Sequence, residues 1–261
     1  MRLIATTLCV FLAAMAAVFG TQLAAVTALM SWRSSSFDLD RDALATLLVS
    51  VPVSSLALIA IALVAAGSPR RIRLRLLPGR TSARGLAAMI VGVLALSQAL
   101  ESLAVLSGVG AGPALDWMTG ALATASARGV VLAVIVIGVL APVGEELFFR
   151  GYMLTRLRGV WSGGPAVLVT ALAFGLIHGE LVHGVLATGI GLYLGALVER
   201  AGSVVPAVIC HAANNTVSVI LSATVGSPHS LRAHAVLLGV SAVFFVAALL
   251  WMRRADPPAI A

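Results

Sequence analysis

Eight long apolar runs, separated by short polar segments, organise this chain. They lie at about 3–30, 44–67, 85–107, 129–149, 163–181, 183–198, 204–225 and 234–252. Several exceed the roughly 18 apolar residues that mark a membrane-spanning helix. The runs are continuous rather than alternating, which disfavours a closed β-barrel. The pattern therefore predicts an all-α fold, a polytopic transmembrane helical bundle of about eight spans. The first run is far longer than the 7–15-residue core of a signal peptide, so it reads as an uncleaved helix. The loop at 31–42 and the tail after Arg254 read as solvated. Gly175-x-x-x-Gly179 and Gly191-x-x-x-Gly195 read as small-residue faces that let helices approach closely.

Composition agrees with the pattern. Of 261 residues, 60% are hydrophobic and 10% charged, and the mean hydropathy is +1.07. A soluble domain of this size does not hide so much apolar surface. The net charge of +7 comes entirely from arginine: all 17 basic residues are Arg. They sit in short connections, so they report orientation rather than a nucleic-acid partner. With the N-terminus inside, thirteen arginines fall on the inside and four (Arg33, Arg41, Arg128 and Arg232) outside. This predicts a multi-pass protein of the cell membrane with both termini cytoplasmic. Cys9 and Cys210 both fall inside apolar runs and imply no disulfide. Cys210 reads as a small packing residue, since its neighbour His211 points about 100° away on a helix.

Against this background the polar residues inside the runs stand out. An ionisable side chain at the centre of a spanning helix costs about 2.5–3.5 kcal/mol on insertion scales, so such positions are candidates for function. Glu145 and Glu146 are adjacent and diverge by about 100° on a helix. Glu146 and Arg150 are spaced i,i+4 and can pair. That frees Glu145 to face a cavity as a general base. His178 lies one turn after Phe174, at a polar helix end with Gly179, Glu180 and His183. Glu180 and His183 read as solvated loop residues. His211 and Asn215, again i,i+4, can both donate to a developing oxyanion, or can simply bond two helices together. Asn214 points elsewhere and reads as a bridge to a neighbouring helix. Gln98 and Glu101 are further polar positions, either structural or lining the same cavity.

The order and spacing of these pieces resemble the CPBP family of intramembrane proteases. That family includes the type II CAAX prenyl endopeptidases and bacterial proteins grouped as abortive-infection or bacteriocin-immunity proteins. Its motifs EExxxR, FxxxH and HxxxN match Glu145, Glu146 and Arg150; Phe174 and His178; and His211 and Asn215. The segment from Gly191 through Gly202, Ser203 and Pro206 is also similar, with Ala201 where members often carry Thr. The resemblance covers roughly 140–216. It implies that Glu145 and His178 activate a water and that His211 and Asn215 form an oxyanion hole. Glu146, Arg150 and Phe174 would support them. Members are commonly described as metalloproteases, and Glu145, His178 and His211 would be the ligands if zinc were present. There is no HExxH pair, and the Asn beside His211 favours the oxyanion role, so no cofactor is required on this reading.

The chain then divides into N-terminal transmembrane helices (1–128), a CAAX-protease-like core (129–225) and a final helix with a cytoplasmic tail (226–261). The expected function is an intramembrane peptidase acting on a peptide or membrane-protein substrate, with the bilayer as its other partner, through a water-filled cavity reached from the cytoplasmic side. Two alternatives belong to other classes: a non-catalytic immunity or scaffold protein, and a small proton-coupled carrier. The absence of visible inverted repeats argues against the carrier.

Overall fold

Each apolar run becomes a helix, and helices also arise in two predicted connections, Arg70–Arg73 and Pro113–Ala123. A computed structural model describes residues 2–226 and 230–255, and the described residues are helical with no strand. We label the helices α1 (Arg2–Arg33), α2 (Ala43–Ala66), α3 (Ala83–Leu106), α4 (Pro113–Ala123), α5 (Ala127–Leu157), α6 (Gly163–Leu176), α7 (Leu181–Ala201), α8 (Val205–Thr224) and α9 (Leu231–Ala255). All but α4 and α6 are long and apolar enough to cross a membrane. The apolar α6 has 14 residues, about 21 Å at 1.5 Å per residue, short of a hydrocarbon core of about 30 Å. The unanticipated α4 is an 11-residue helix in the connection between α3 and α5. Beyond Ala255 the expected solvated tail lies outside the described residues.

Helices α5 and α7 lie inside the bundle. Their most apolar windows are 39% and 44% buried, against 17% for α9 and 22% for α1. Helix α5 packs between α2 and α8; α6 pairs with α7, α9 with α3, and α1 with α2. Glycine sets the closest crossing, between α6 and α7. A Cβ on Gly175 would collide with the Gly184 carbonyl and the Thr188 hydroxyl. Gly191 and Gly195 press against Ala171 and Val167 of α6 in the same way. Gly179 behaves differently from its predicted role. Its φ is +71°, past the end of α6, so it turns the chain instead of packing a helix.

At the far end of α7, Gly202 takes the left-handed conformation that stops the helix. Ser203 then accepts from the Val205 N–H at 3.2 Å, and Pro206 falls in the first turn of α8. Ala201, where the family pattern has Thr, contributes its carbonyl, which accepts from the Arg80 N–H at 3.0 Å. Glu199 binds Arg75 at 2.7 Å and Arg158 at 2.6 Å, so this arginine-rich end is tied across three segments.

Helix α5 departs most from expectation. It continues to Leu157 instead of stopping at 149, because Arg150 is neutralised inside the protein rather than left in a loop. It is also irregular: residues Val134–Leu140 and Leu147–Leu154 are π-helical and flank a short α-helical segment, Ala141–Glu146. Pro142 explains the first stretch. Its ring cannot tolerate the carbonyl of an α-helical turn behind it, and it has no N–H to give. The Ala141 N–H bonds to the Val136 carbonyl, five residues back. In that register the next carbonyl, Ile137, would need the missing N–H of Pro142. Asn215 of α8 fills the gap, donating Nδ2–H to the Ile137 oxygen at 3.2 Å. The interhelical bridge is thus made by Asn215. Among the described residues the side chain of Asn214, expected to make it, bonds only to that of Asn215, at 3.4 Å.

Removing Asn215 therefore strands a carbonyl inside α5. Asn215→Leu should lower stability by about 1–3 kcal/mol, the cost of an unpaired buried polar group. Asn214→Leu should cost clearly less. Unfolding titrations of the two variants in one detergent check this, and equal losses would contradict it.

Candidate active site

The site is built outward from Arg150. Both it and Glu146 are 0% exposed, and Arg150 Nη1 lies 2.7 Å from Glu146 Oε1. The guanidinium also donates from Nη2 to the Gly191 carbonyl at 3.1 Å and lies 4.5 Å from the centre of the Phe174 ring. Gly191 matters because a Cβ there would sit 3.2 Å from Nη2, crowding the charge. One carboxylate, one carbonyl and one ring face thus replace the water that a cation needs.

Glu146 in turn orients His211. The same Oε1 accepts from His211 Nδ1 at 2.9 Å. That oxygen is shared with the Arg150 guanidinium and accepts from both, so Nδ1 is the donor and Nε2 is left for the cavity. That Nε2 lies 3.7 Å from Glu145 Oε2. The two glutamates divide as their 100° offset requires. Glu146 is enclosed, whereas the Glu145 side chain is 20% exposed and lines the cavity.

Phe174 holds both histidines. Its ring meets those of His178 and His211 edge-on, with centres 4.9 and 5.7 Å apart. Its carbonyl lies 2.8 Å from His178 Nδ1. A carbonyl only accepts, so this contact puts the proton on Nδ1 and turns Nε2 toward the cavity. The FxxxH spacing is an i,i+4 pair in which backbone and ring of one residue fix the other. His183, read from sequence as a solvated loop residue, instead packs its ring 4.4 Å from that of His178 and lines the cavity. Glu180 caps α7, accepting from the Val182 and His183 N–H groups at 2.7 and 2.9 Å.

Glu145, His178, His211 and Asn215 all line one cavity of about 810 Å³. Its walls are the halves of the helices next to the connections after α1, α3, α6 and α8, and residues Ala114–Thr119 of α4 line it as well. His211 is 13 residues before the end of α8, about 20 Å down the bundle. Phe148, Phe149 and Tyr152 are buried beyond it. The cavity therefore occupies the half of the bundle opposite the arginine-rich connections. The expected opening at the arginine-rich end is therefore not where the lining residues lie. Runs and loop charges carry no information about which half of a bundle is hollow.

Zinc, if bound, would be held by Glu145 with Nε2 of His178 and His211, since Nδ1 of the two histidines is committed, to the Phe174 carbonyl and to Glu146. Among the described residues no three His, Cys, Asp or Glu side chains are grouped to hold a metal ion. The metalloprotease expectation is not carried forward, and no step below passes through zinc.

Residues 127–217 match the family model of the Rce1-like type II CAAX prenyl endopeptidases. An uncharacterized 24.3 kDa protein of Escherichia coli is 32% identical over 142 residues, which is 52% of this chain and 60% of that protein's length. No solved structure matches significantly. The matched segment contains Glu145, His178 and His211, and the motifs that carry the resemblance fall within it: residues 127–217 of this membrane-embedded helical protein are similar to the Rce1-like, type II CAAX prenyl endopeptidases.

Proposed function

We propose that the protein is an intramembrane endopeptidase in which Glu145 and His178 activate a water and His211 and Asn215 receive the oxyanion. The observation that carries this reading is the convergence of those four side chains on one deep cavity, with His211 Nε2 3.7 Å from Glu145. The scissile carbonyl enters between Glu145 and His211. Water attacks its carbon while Glu145 takes a proton, and the unprotonated Nε2 of His178 holds the water by accepting its other hydrogen. The new oxyanion is met by Asn215, whose amide has one hydrogen beyond that given to Ile137, and by His211 Nε2–H. Acting there while Nδ1 donates to Glu146 requires both ring protons on His211. Collapse of the tetrahedral intermediate breaks the C–N bond, and Glu145 returns its proton to the leaving amine.

Glu146 and Arg150 position His211 in this scheme and touch no substrate. Glu145→Gln should therefore abolish cleavage while leaving thermal stability near wild type. Asn215→Ala should lower kcat by about 10²–10³, the range for one oxyanion donor. Chelators should leave most wild-type activity in place. Full activity in Glu145→Gln would remove the base, and activity lost to a chelator and restored by zinc alone would overturn the metal-free scheme.

The arginine distribution supports both termini lying in the cytoplasm. Arg150 is buried in the site and drops out of the inside thirteen, leaving twelve against four in the connections. In that orientation the cavity opens away from the cytoplasm, and the substrate is a peptide or membrane-protein segment presented from outside. In whole cells a membrane-impermeant thiol reagent should label Thr119→Cys on α4 but not Thr81→Cys in the connection between α2 and α3. The reverse pattern would invert the assignment.

A further inference from the structure

His178 stands apart from the other three residues of the site. Glu145, His211 and Asn215 lie inside helices, whereas α6 ends at Leu176 and His178 falls beyond it. Its backbone N–H bonds to the Gly175 carbonyl at 3.2 Å, and Gly179, with a φ of +71°, at once turns the chain away. No helical ladder continues through His178, so the orientation of its ring depends on what touches it. Phe174 makes one set of contacts, through its carbonyl and its ring. His183 makes the other. Its ring centre lies 4.4 Å from that of His178, with the two planes at 63°.

Two local features of the sequence put His183 there. Glu180 has an extended backbone and accepts from the Val182 and His183 N–H groups, so the first turn of α7 is fixed at this point. Gly175 of α6 and Gly184 of α7 then let the helices meet backbone to backbone. A Cβ on Gly184 would come 2.9 Å from the Gly175 carbonyl oxygen. The closest approach thus falls one residue after His183 and three residues before His178. Ring pairs that meet edge-on favour particular arrangements and contribute about 0.5–1.5 kcal/mol beyond their buried area. An aliphatic side chain imposes no such preference.

We infer that His183 is a positioning residue of the reaction: with Phe174 it holds the His178 imidazole so that Nε2 faces the attacking water. The inference rests on the peptidase reading above and adds a residue that none of the three motifs contains. A ring free to rotate would leave the Phe174 carbonyl, and either nitrogen could then carry the proton. Held against two rings, it keeps Nδ1 as the donor to that carbonyl and Nε2 as the acceptor for water. His183 itself exchanges no proton and touches neither the water nor the scissile carbonyl.

The test uses the purified full chain in detergent and internally quenched peptides of random sequence, of which the one cut fastest by the unsubstituted protein is carried forward. His183→Ala should lower kcat by about 10- to 100-fold, the upper figure being what a misplacement of about 1 Å can cost. KM should stay within about twofold of wild type. His183→Phe, which keeps a flat ring, should recover most of the lost kcat. If His183→Ala does not fold, His183→Leu, which fills the space without a ring, takes its place with the same loss expected. A second readout needs no substrate. In protein with isotope-labelled histidine at alkaline pH, nuclear magnetic resonance reads the proton on each ring nitrogen. The His178 signals, assigned by their loss in His178→Ala, should show Nδ1 alone protonated in the unsubstituted protein and both tautomers mixed in His183→Ala. An unchanged kcat, a rise in KM alone, a loss that His183→Phe does not recover, or an unmoved His178 tautomer overturns the inference. If the unsubstituted protein cuts no peptide, the peptidase reading fails instead, and the tautomer alone decides whether His183 holds His178.

Discussion

A guanidinium buried at membrane depth constrains everything around it. Arg150 cannot reach water, so the protein must supply a carboxylate, a carbonyl and a ring face in its place. Glu146 is the carboxylate, and its position fixes His211. Gly191 offers the carbonyl, and a Cβ there would crowd the Arg150 guanidinium at 3.2 Å. Phe174 is the ring, and its carbonyl and edges fix His178. A single charge thus ties together α5, α6, α7 and α8, around the cavity that Glu145, His178, His211 and Asn215 line. The three sequence motifs are three strands of one network rather than three independent signals.

The irregularity of α5 serves the same end. Pro142 breaks the regular ladder next to the two glutamates, and the carbonyl it orphans is taken up by Asn215. Stretches of π-helix recur at functional sites because they shift side chains off the regular helical spiral. Here they bracket Glu145 and Glu146. The bond that repairs α5 also anchors one of the oxyanion donors that we propose.

Much of this was legible in the sequence, for identifiable reasons. Apolar runs of spanning length locate helices because the bilayer leaves the backbone no alternative. The i,i+4 spacing of Glu146 and Arg150 foretells their contact, which leaves Glu145 to the cavity. What escaped was non-local. The end of α5 was misjudged because a charge normally ends a span, and the Gly191 carbonyl that accommodates Arg150 lies 41 residues away. Gly179 looked like half of a packing motif, because spacing does not reveal a positive φ. The bridge expected of Asn214 is made by Asn215, since the acceptor was created by a proline on another helix. The hollow half of the bundle, and with it the place of His183 and of α4, depends on how eight runs are arranged, which no single run encodes.

The central claim is that the Arg150–Glu146 pair is a mutual necessity, and a double-mutant cycle measures it directly. Glu146→Leu and Arg150→Met each leave the other charge buried and unpaired, so each should destabilise by about 3–5 kcal/mol. In the double variant neither charge remains. Its loss should fall short of the sum of the single losses by about 2–3 kcal/mol, the upper range for residues in contact. Single losses that add to within about 0.5 kcal/mol would mean that the two residues do not support one another, and the account built on Arg150 would fail.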